Sequence, residues 1–153
     1  MVTPETTLQT ASARPDMTAS VMSKTGLDEH ALHDLVHAFY VKIRNDPMLS
    51  PIFAERITDW GPHLDRMVTF WSSVALMTGR YHGQPVERHL PLAAGVEGIG
   101  ERHFARWLAL FEETAREVCT PAGADHLVAR AERIAVTLQA AIARDGARGK
   151  GGP

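Results

Sequence analysis

"VTFWSSVALMTGRYHGQPVERHLPL", Val68 to Leu92, decides the reading of this chain. An apolar helical run breaks near Gly79 into a connector holding Gly83 and Pro85, and His89 then stands just before Pro91. The run belongs to a longer stripe of Leu64, Met67, Val68, Trp71, Val74 and Ala75, spaced as one face of a helix. Thr58 or Asp59 can cap its start, Pro62 is tolerated in the first turn, and Gly79 is expected to end it. The segment from Arg80 to Gly100 is irregular and rich in glycine and proline. Structureless loops of about 20 residues are uncommon in compact domains and often functional. A short turn, Val86–Leu90, could present His89 from within it.

Upstream, Leu32, Leu35, Val36, Phe39 and Ile43 form another stripe, on a helix that starts near Thr25–Leu27 and stops by Asp46-Pro47. A compact linker, "PMLSPIF", carries Phe53. Downstream, a third helix is expected over about Glu101–Val118, with Phe104, Trp107, Leu108, Phe111, Ala115 and Val118 inward. A fourth is expected over about Ala124–Ala143, with Leu127, Ala131, Ile134, Leu138 and Ile142 on one side. No segment alternates as a strand does, so the fold class is all-α. Residues 1–24 read as a flexible tail rich in Thr, Ser, Ala and Pro, residues 25–145 as one domain, and 146–153 as a second flexible tail.

The bulk numbers narrow the function classes. With 153 residues the chain suits one core. Sixteen basic and 18 acidic residues leave a formal charge of −2 without a basic stripe, which disfavours nucleic acid and anionic membranes as partners. The single cysteine, Cys119, excludes an internal disulfide and a cysteine-framed cluster. No apolar run approaches the roughly 18–20 residues that span a bilayer, and residues 1–23 lack the pattern of a secretory signal. A soluble, cytoplasmic protein is expected.

Polar residues at the edges of the stripes are the candidates for chemistry. Tyr40 borders the buried face of the first helix, His63 lies four before Met67, and Trp107 sits inside the third stripe. A buried phenol or indole needs a hydrogen-bond partner, so a shared cavity would gather two donors and an imidazole. Each alone also suits an ordinary core or surface residue. His30, His33 and His37 follow at i, i+3 and i+7, a spacing that could hold zinc or nickel, or simply a solvated face. His103 and His126 are expected to be exposed near helix starts, and Cys119 to pack near a helix end. No phosphate loop and no serine elbow is present.

From Phe39 to Phe111 the chain resembles the truncated haemoglobins of group III. The resemblance rests on "FYVKIRNDPMLSPIF" (Phe39–Phe53), "DWGPHLDRMVTFW" (Asp59–Trp71), "YHGQPVERHLPL" (Tyr81–Leu92) and "HFARWLALFEE" (His103–Glu113). The Gly-Gly pairs of the other two groups are missing. The resemblance implies a two-over-two helical sandwich around one haem b. His89 matches the family's iron ligand, and His82 would be a bystander. Tyr40, His63 and Trp107 match the distal polar positions and Met67 the apolar one beside the bound ligand. Phe53 would pack on the porphyrin face, with Phe70 and Trp71 in the helix that walls the pocket. Implied partners are O2, NO or CO and an unidentified reductase. Donors beside a ligand that gains negative charge form charge-assisted hydrogen bonds of about 1.5–3 kcal/mol each.

The resemblance implies reversible binding of a diatomic, with NO oxidation or weak peroxidase turnover as a rival on the same scaffold. A haem-free helical module that binds a partner protein is the alternative from another class. "AAGVEGIG", between Pro91 and Glu101, departs from the family by its length and glycine content, and the segment before Thr25 has no family counterpart.

Overall fold

The computed structural model describes residues 13–81 and 100–151, with only the backbone given for Ile142 and residues 144–151. Six helices account for nearly all of the described residues, and no strand occurs among them: α1 (Pro15–Thr25), α2 (Glu29–Asn45), α3 (Ser50–Arg56), α4 (Trp60–Leu76), α5 (Glu101–Val118) and α6 (Pro121–Gly151).

α2 forms because its apolar residues recur at helical spacing and its ends are well punctuated. Asp28 caps the start by accepting from the Ala31 amide at 2.8 Å. Leu32, Leu35, Val36, Phe39, Tyr40 and Ile43 are all buried. The helix stops before Asp46-Pro47, as the sequence predicts. Asp46 then organises the corner. Its Oδ2 accepts from the Met48 and Leu49 amides at 3.1 and 3.0 Å, and its Oδ1 accepts from Arg106 Nε of α5 at 2.7 Å.

α2 and α4 run antiparallel. Glu29 at the start of α2 accepts a hydrogen bond from Ser72 late in α4, and Tyr40 near the end of α2 meets His63 early in α4. α5 and α6 form the second pair, joined by the short Cys119-Thr120 connection. α2 packs on both α4 and α5, whereas α4 and α5 make no comparable backbone approach to each other among the described residues. They meet through Trp71 stacked on Phe111, ring centroids 4.9 Å apart. Two helix pairs, α2 with α4 and α5 with α6, thus pack into the two-over-two sandwich that the resemblance implies.

The segment expected to be a flexible tail up to residue 24 is corrected in part: Pro15–Thr25 is a helix packed on α4 and α6. Its anchors are polar. Thr18 Oγ1 donates to the Leu76 and Met77 carbonyls, and the Arg14 amide donates to Met77 O at 3.0 Å. Thr25 O accepts from Thr120 Oγ1 at 2.5 Å. Hydroxyl locks of this kind leave no apolar period to read. They also explain why α4 ends at Leu76, three residues before Gly79. α1 satisfies the last carbonyls of α4, and Met77 takes the left-handed backbone (φ 57°) at a cost of about 1–2 kcal/mol for a non-glycine residue.

Gly123 marks the closest approach at this end. A Cβ there would stand 3.0 Å from Leu27 and 3.1 Å from the Thr25 carbonyl, so α6 can start only here with no side chain. At its other end α6 stays helical through Gly151, overlapping the second expected tail at 146–153. A helix nucleated on a long packed stretch propagates cheaply. No helix among the described residues is long and apolar enough to cross a membrane.

Candidate functional site

Burial divides α4 into two halves. From Trp60 to Thr69 no residue is fully buried, although Trp60, Leu64, Met67 and Val68 pack against the core. From Phe70 to Leu76 every residue but Val74 is buried. α5 repeats the pattern: Phe104, Trp107 and Leu108 are half-covered, and the buried positions begin at Leu110. The open halves of both helices thus carry half-covered apolar side chains. Large apolar side chains left half-covered on two helices whose backbones do not approach each other closely among the described residues outline a candidate slot for an apolar ligand.

Tyr40 borders that candidate slot through its contact with His63 of α4. It is 7 % exposed, and its ring stands edge-on to Phe39, Phe53 and His63 at centroid distances of 5.2, 6.0 and 5.1 Å. α2 delivers it from the buried stripe, α3 brings Phe53 from the linker, and α4 brings His63 from its first turn. Burial raises the Tyr40 pKa well above the ordinary phenol value, with no charge or hydrogen bond opposing it. The hydroxyl therefore remains protonated and able to donate.

Trp107 reaches Tyr40 only through Phe39, 5.8 Å from the indole and 5.2 Å from the phenol. Its plane is fixed by stacking on Phe111, which stacks in turn on Trp71. Arg106 Nε and Nη2 both reach Oδ1 of buried Asp46 and hold this part of α5 against the α2–α3 corner. Burial alone would raise the Asp46 pKa, but the Arg106 guanidinium and the Leu49 and Met48 amides outweigh it and hold the carboxyl below its usual range.

The structure brings Tyr40, His63 and Phe53 into direct contact and places Trp107 one ring away. Met67 lies on the half-covered wall, and Phe70 and Trp71 are buried beneath it, Phe70 edge-on to Tyr81. His89 and His82 lie outside the described residues, as does most of the Pro91–Glu101 segment.

Sequence reasoning missed Trp60. This first residue of α4 meets Tyr40 at 5.8 Å and His63 at 5.7 Å, and the Arg44 guanidinium lies 4.5 Å over its ring. Trp60 backs both distal groups, and Arg44 pins it from the solvent side by a cation–π contact. The available signal was "DWGPH": an aromatic three residues before a histidine shares its side of a helix.

Two other histidines differ from expectation. His103 is half-buried, and its Nδ1 accepts from the Gly100 amide at 3.1 Å, closing the start of α5. His126 is half-buried, with Nε2 donating to the Ala75 carbonyl at 3.0 Å, and burial lowers its pKa. Both satisfy helix ends that would otherwise leave backbone groups unpaired. Cys119 caps the end of α5 as expected, its thiol pKa raised by burial.

Comparison with known proteins supports the same architecture. No protein-family profile matches the chain. A group 3 truncated haemoglobin of Campylobacter jejuni is 32 % identical over 117 residues, covering 74 % of this chain and 89 % of that protein. The crystal structure of a group III truncated haemoglobin from Campylobacter jejuni superposes with a TM-score of 0.68 at 31 % identity, over 76 % of this chain and 91 % of that one. With α4 and α5 both carrying half-covered apolar side chains, the Tyr40–His63 contact beside them and a relative matched over nearly its whole length, the chain belongs to the group III truncated haemoglobins.

Proposed function

We propose that the slot holds haem b and that the protein binds O2, NO or CO beside Tyr40. When bound, haem would supply an iron that takes an imidazole and binds a diatomic ligand. His89 is the imidazole we assign to the iron. Half-covered Leu64, Met67, Val68, Phe104 and Leu108 supply apolar wall to the slot. Phe53 closes the edge near Tyr40 and keeps bulk water away, while Phe70 and Trp71 stiffen the wall from beneath.

Tyr40 and Trp107 are the donors. Because burial keeps the phenol protonated, Tyr40 offers its proton to a ligand that carries partial negative charge, and a neutral ligand such as CO gains less. One such bond, at about 1.5–3 kcal/mol, slows ligand escape by roughly 10–100-fold. His63 is the third polar group, and Trp60 restricts the positions its ring can take. Turnover with NO or peroxide would draw on the same donors and on an unidentified reductase. Catalytic NO consumption with a cell extract as electron source separates it from reversible binding.

The observation that carries this reading is the half-covered apolar surface of α4 and α5, with protonated Tyr40 beside it in contact with His63. An absorption spectrum of the purified protein, ferric and then reduced under CO, tests it. An intense Soret band that shifts with CO is expected. A colourless protein that folds equally well in haem-deficient cells would favour a haem-free interaction module instead.

A further inference from the structure

The outer face of α2 carries a second group of imidazoles, separate from the slot. His30, His33, Asp34 and His37 occupy positions i, i+3, i+4 and i+7, so all four fall on one side of the helix across two turns. His30 and His33 have side chains 85 % and 55 % exposed. The His33 and His37 rings are stacked, centroids 4.1 Å apart and planes 25° from parallel. Asp34 lies between the two outer histidines, with Oδ2 3.4 Å from His30 Nε2 and Oδ1 3.4 Å from His33 Nδ1.

We propose that His33 and His37 form a bidentate site for a divalent transition-metal ion, copper(II) foremost, with Asp34 as the carboxylate that orients His33.

Three features point the same way. Asp34 Oδ1 lies 3.4 Å from His33 Nδ1, where a carboxylate can accept the Nδ1 proton of the tautomer whose lone pair is on Nε2, as carboxylates beside metal-binding histidines do. Nε2 of His37 is buried and has no hydrogen-bond partner among the described residues, an unmet acceptor or donor that a metal ion would satisfy. The two rings lie one helical turn apart and stacked; binding would unstack them, turning each ring about its Cα–Cβ and Cβ–Cγ bonds until both Nε2 lone pairs meet a common ion at about 2.0–2.1 Å. No group of three or more His, Cys, Asp or Glu side chains converges on one point among the described residues, so water completes the coordination. An open site with two imidazoles is filled in the general order of divalent affinities, in which copper(II) leads and nickel(II) and zinc(II) follow. No cysteine takes part, which argues against a copper(I) site.

The test is titration of the full-length, tag-free protein with copper(II), read by calorimetry and by electron paramagnetic resonance of the copper signal, which is distinct from that of haem. The site predicts one copper(II) held by two imidazole nitrogens. Asp34→Asn should weaken binding about tenfold, the lower end of what losing an orienting partner costs, and His33→Gln and His37→Gln should each weaken it more. His30→Gln, which removes an imidazole from the same face but not from the site, should leave affinity within about twofold. Far-UV circular dichroism confirms that each variant is folded, and exposed His33 guards against loss of fold at His37. Copper bound equally well by the His33 and His37 variants, or a spectrum showing only amine and backbone nitrogens from the chain terminus, would overturn the assignment.

Discussion

The two ends of α4 share one helix and have opposite characters. At its C-terminal end, Ala75 and Leu76 are sealed under α1 and against α6, where Ala124, Leu127 and Ala131 are fully buried. Small residues and hydroxyl–carbonyl locks draw backbones close there. At its N-terminal end, Trp60, His63, Leu64, Met67 and Val68 stay half-covered, and their neighbours are aromatic rings in edge-on contact. The closed end supplies stability. The open end leaves apolar surface unsatisfied and relies on the closed end to hold its walls apart.

That contrast can be broken at several points. The largest effect is expected at the open end: His89→Ala should abolish stable haem retention, whereas His82→Ala leaves the Soret band nearly intact. The reverse result would move the iron ligand. At the closed end, Leu127→Ala should cost about 2–5 kcal/mol in urea denaturation, because the residue is wholly buried among packed helices. A loss below 1 kcal/mol would mean the end is not sealed.

Asp46→Asn tests what holds the open end's walls in register. It removes the charge that accepts from Arg106 and should cost about 1.5–3 kcal/mol at neutral pH. The folded-state pKa of Asp46 is depressed, so this stability is complete above the ordinary carboxylate range. It is lost as pH falls through that range to the lowered value, where wild type and variant should converge. Curves that stay parallel in acid would show that the carboxyl is not the cause. The smallest effect is expected at the α1 lock. Thr18→Val removes hydrogen bonds to the end of α4 and should cost about 1 kcal/mol, lowering Tm by roughly 2–4 °C.

The same contrast explains what the sequence reveals. α2 was legible because its burial follows apolar periodicity, and α5 runs Glu101–Val118 as expected because Gly100 and Thr120-Pro121 bracket it. α1 was not, since Thr18 and Thr25 bind through hydroxyls and carbonyls to residues dozens of positions away. The position of Tyr40 at a stripe edge, and its approach to His63, were readable from helical spacing. Trp60 was readable from the same spacing but overlooked, whereas Arg44 was not, because a cation–π contact between two helices has no period along one chain. Leu64, Met67 and Val68 read as core by pattern yet remain half-covered, since periodicity reports which side is apolar and not whether protein covers it.

The most direct test of the account is the O2 dissociation rate from the ferrous protein, measured by stopped flow in wild type, Tyr40→Phe and Leu127→Ala. The account predicts escape roughly 10–100-fold faster in Tyr40→Phe, with Leu127→Ala unchanged although it is the less stable protein. Equal rates in wild type and Tyr40→Phe, or a comparable change in both variants, would contradict it.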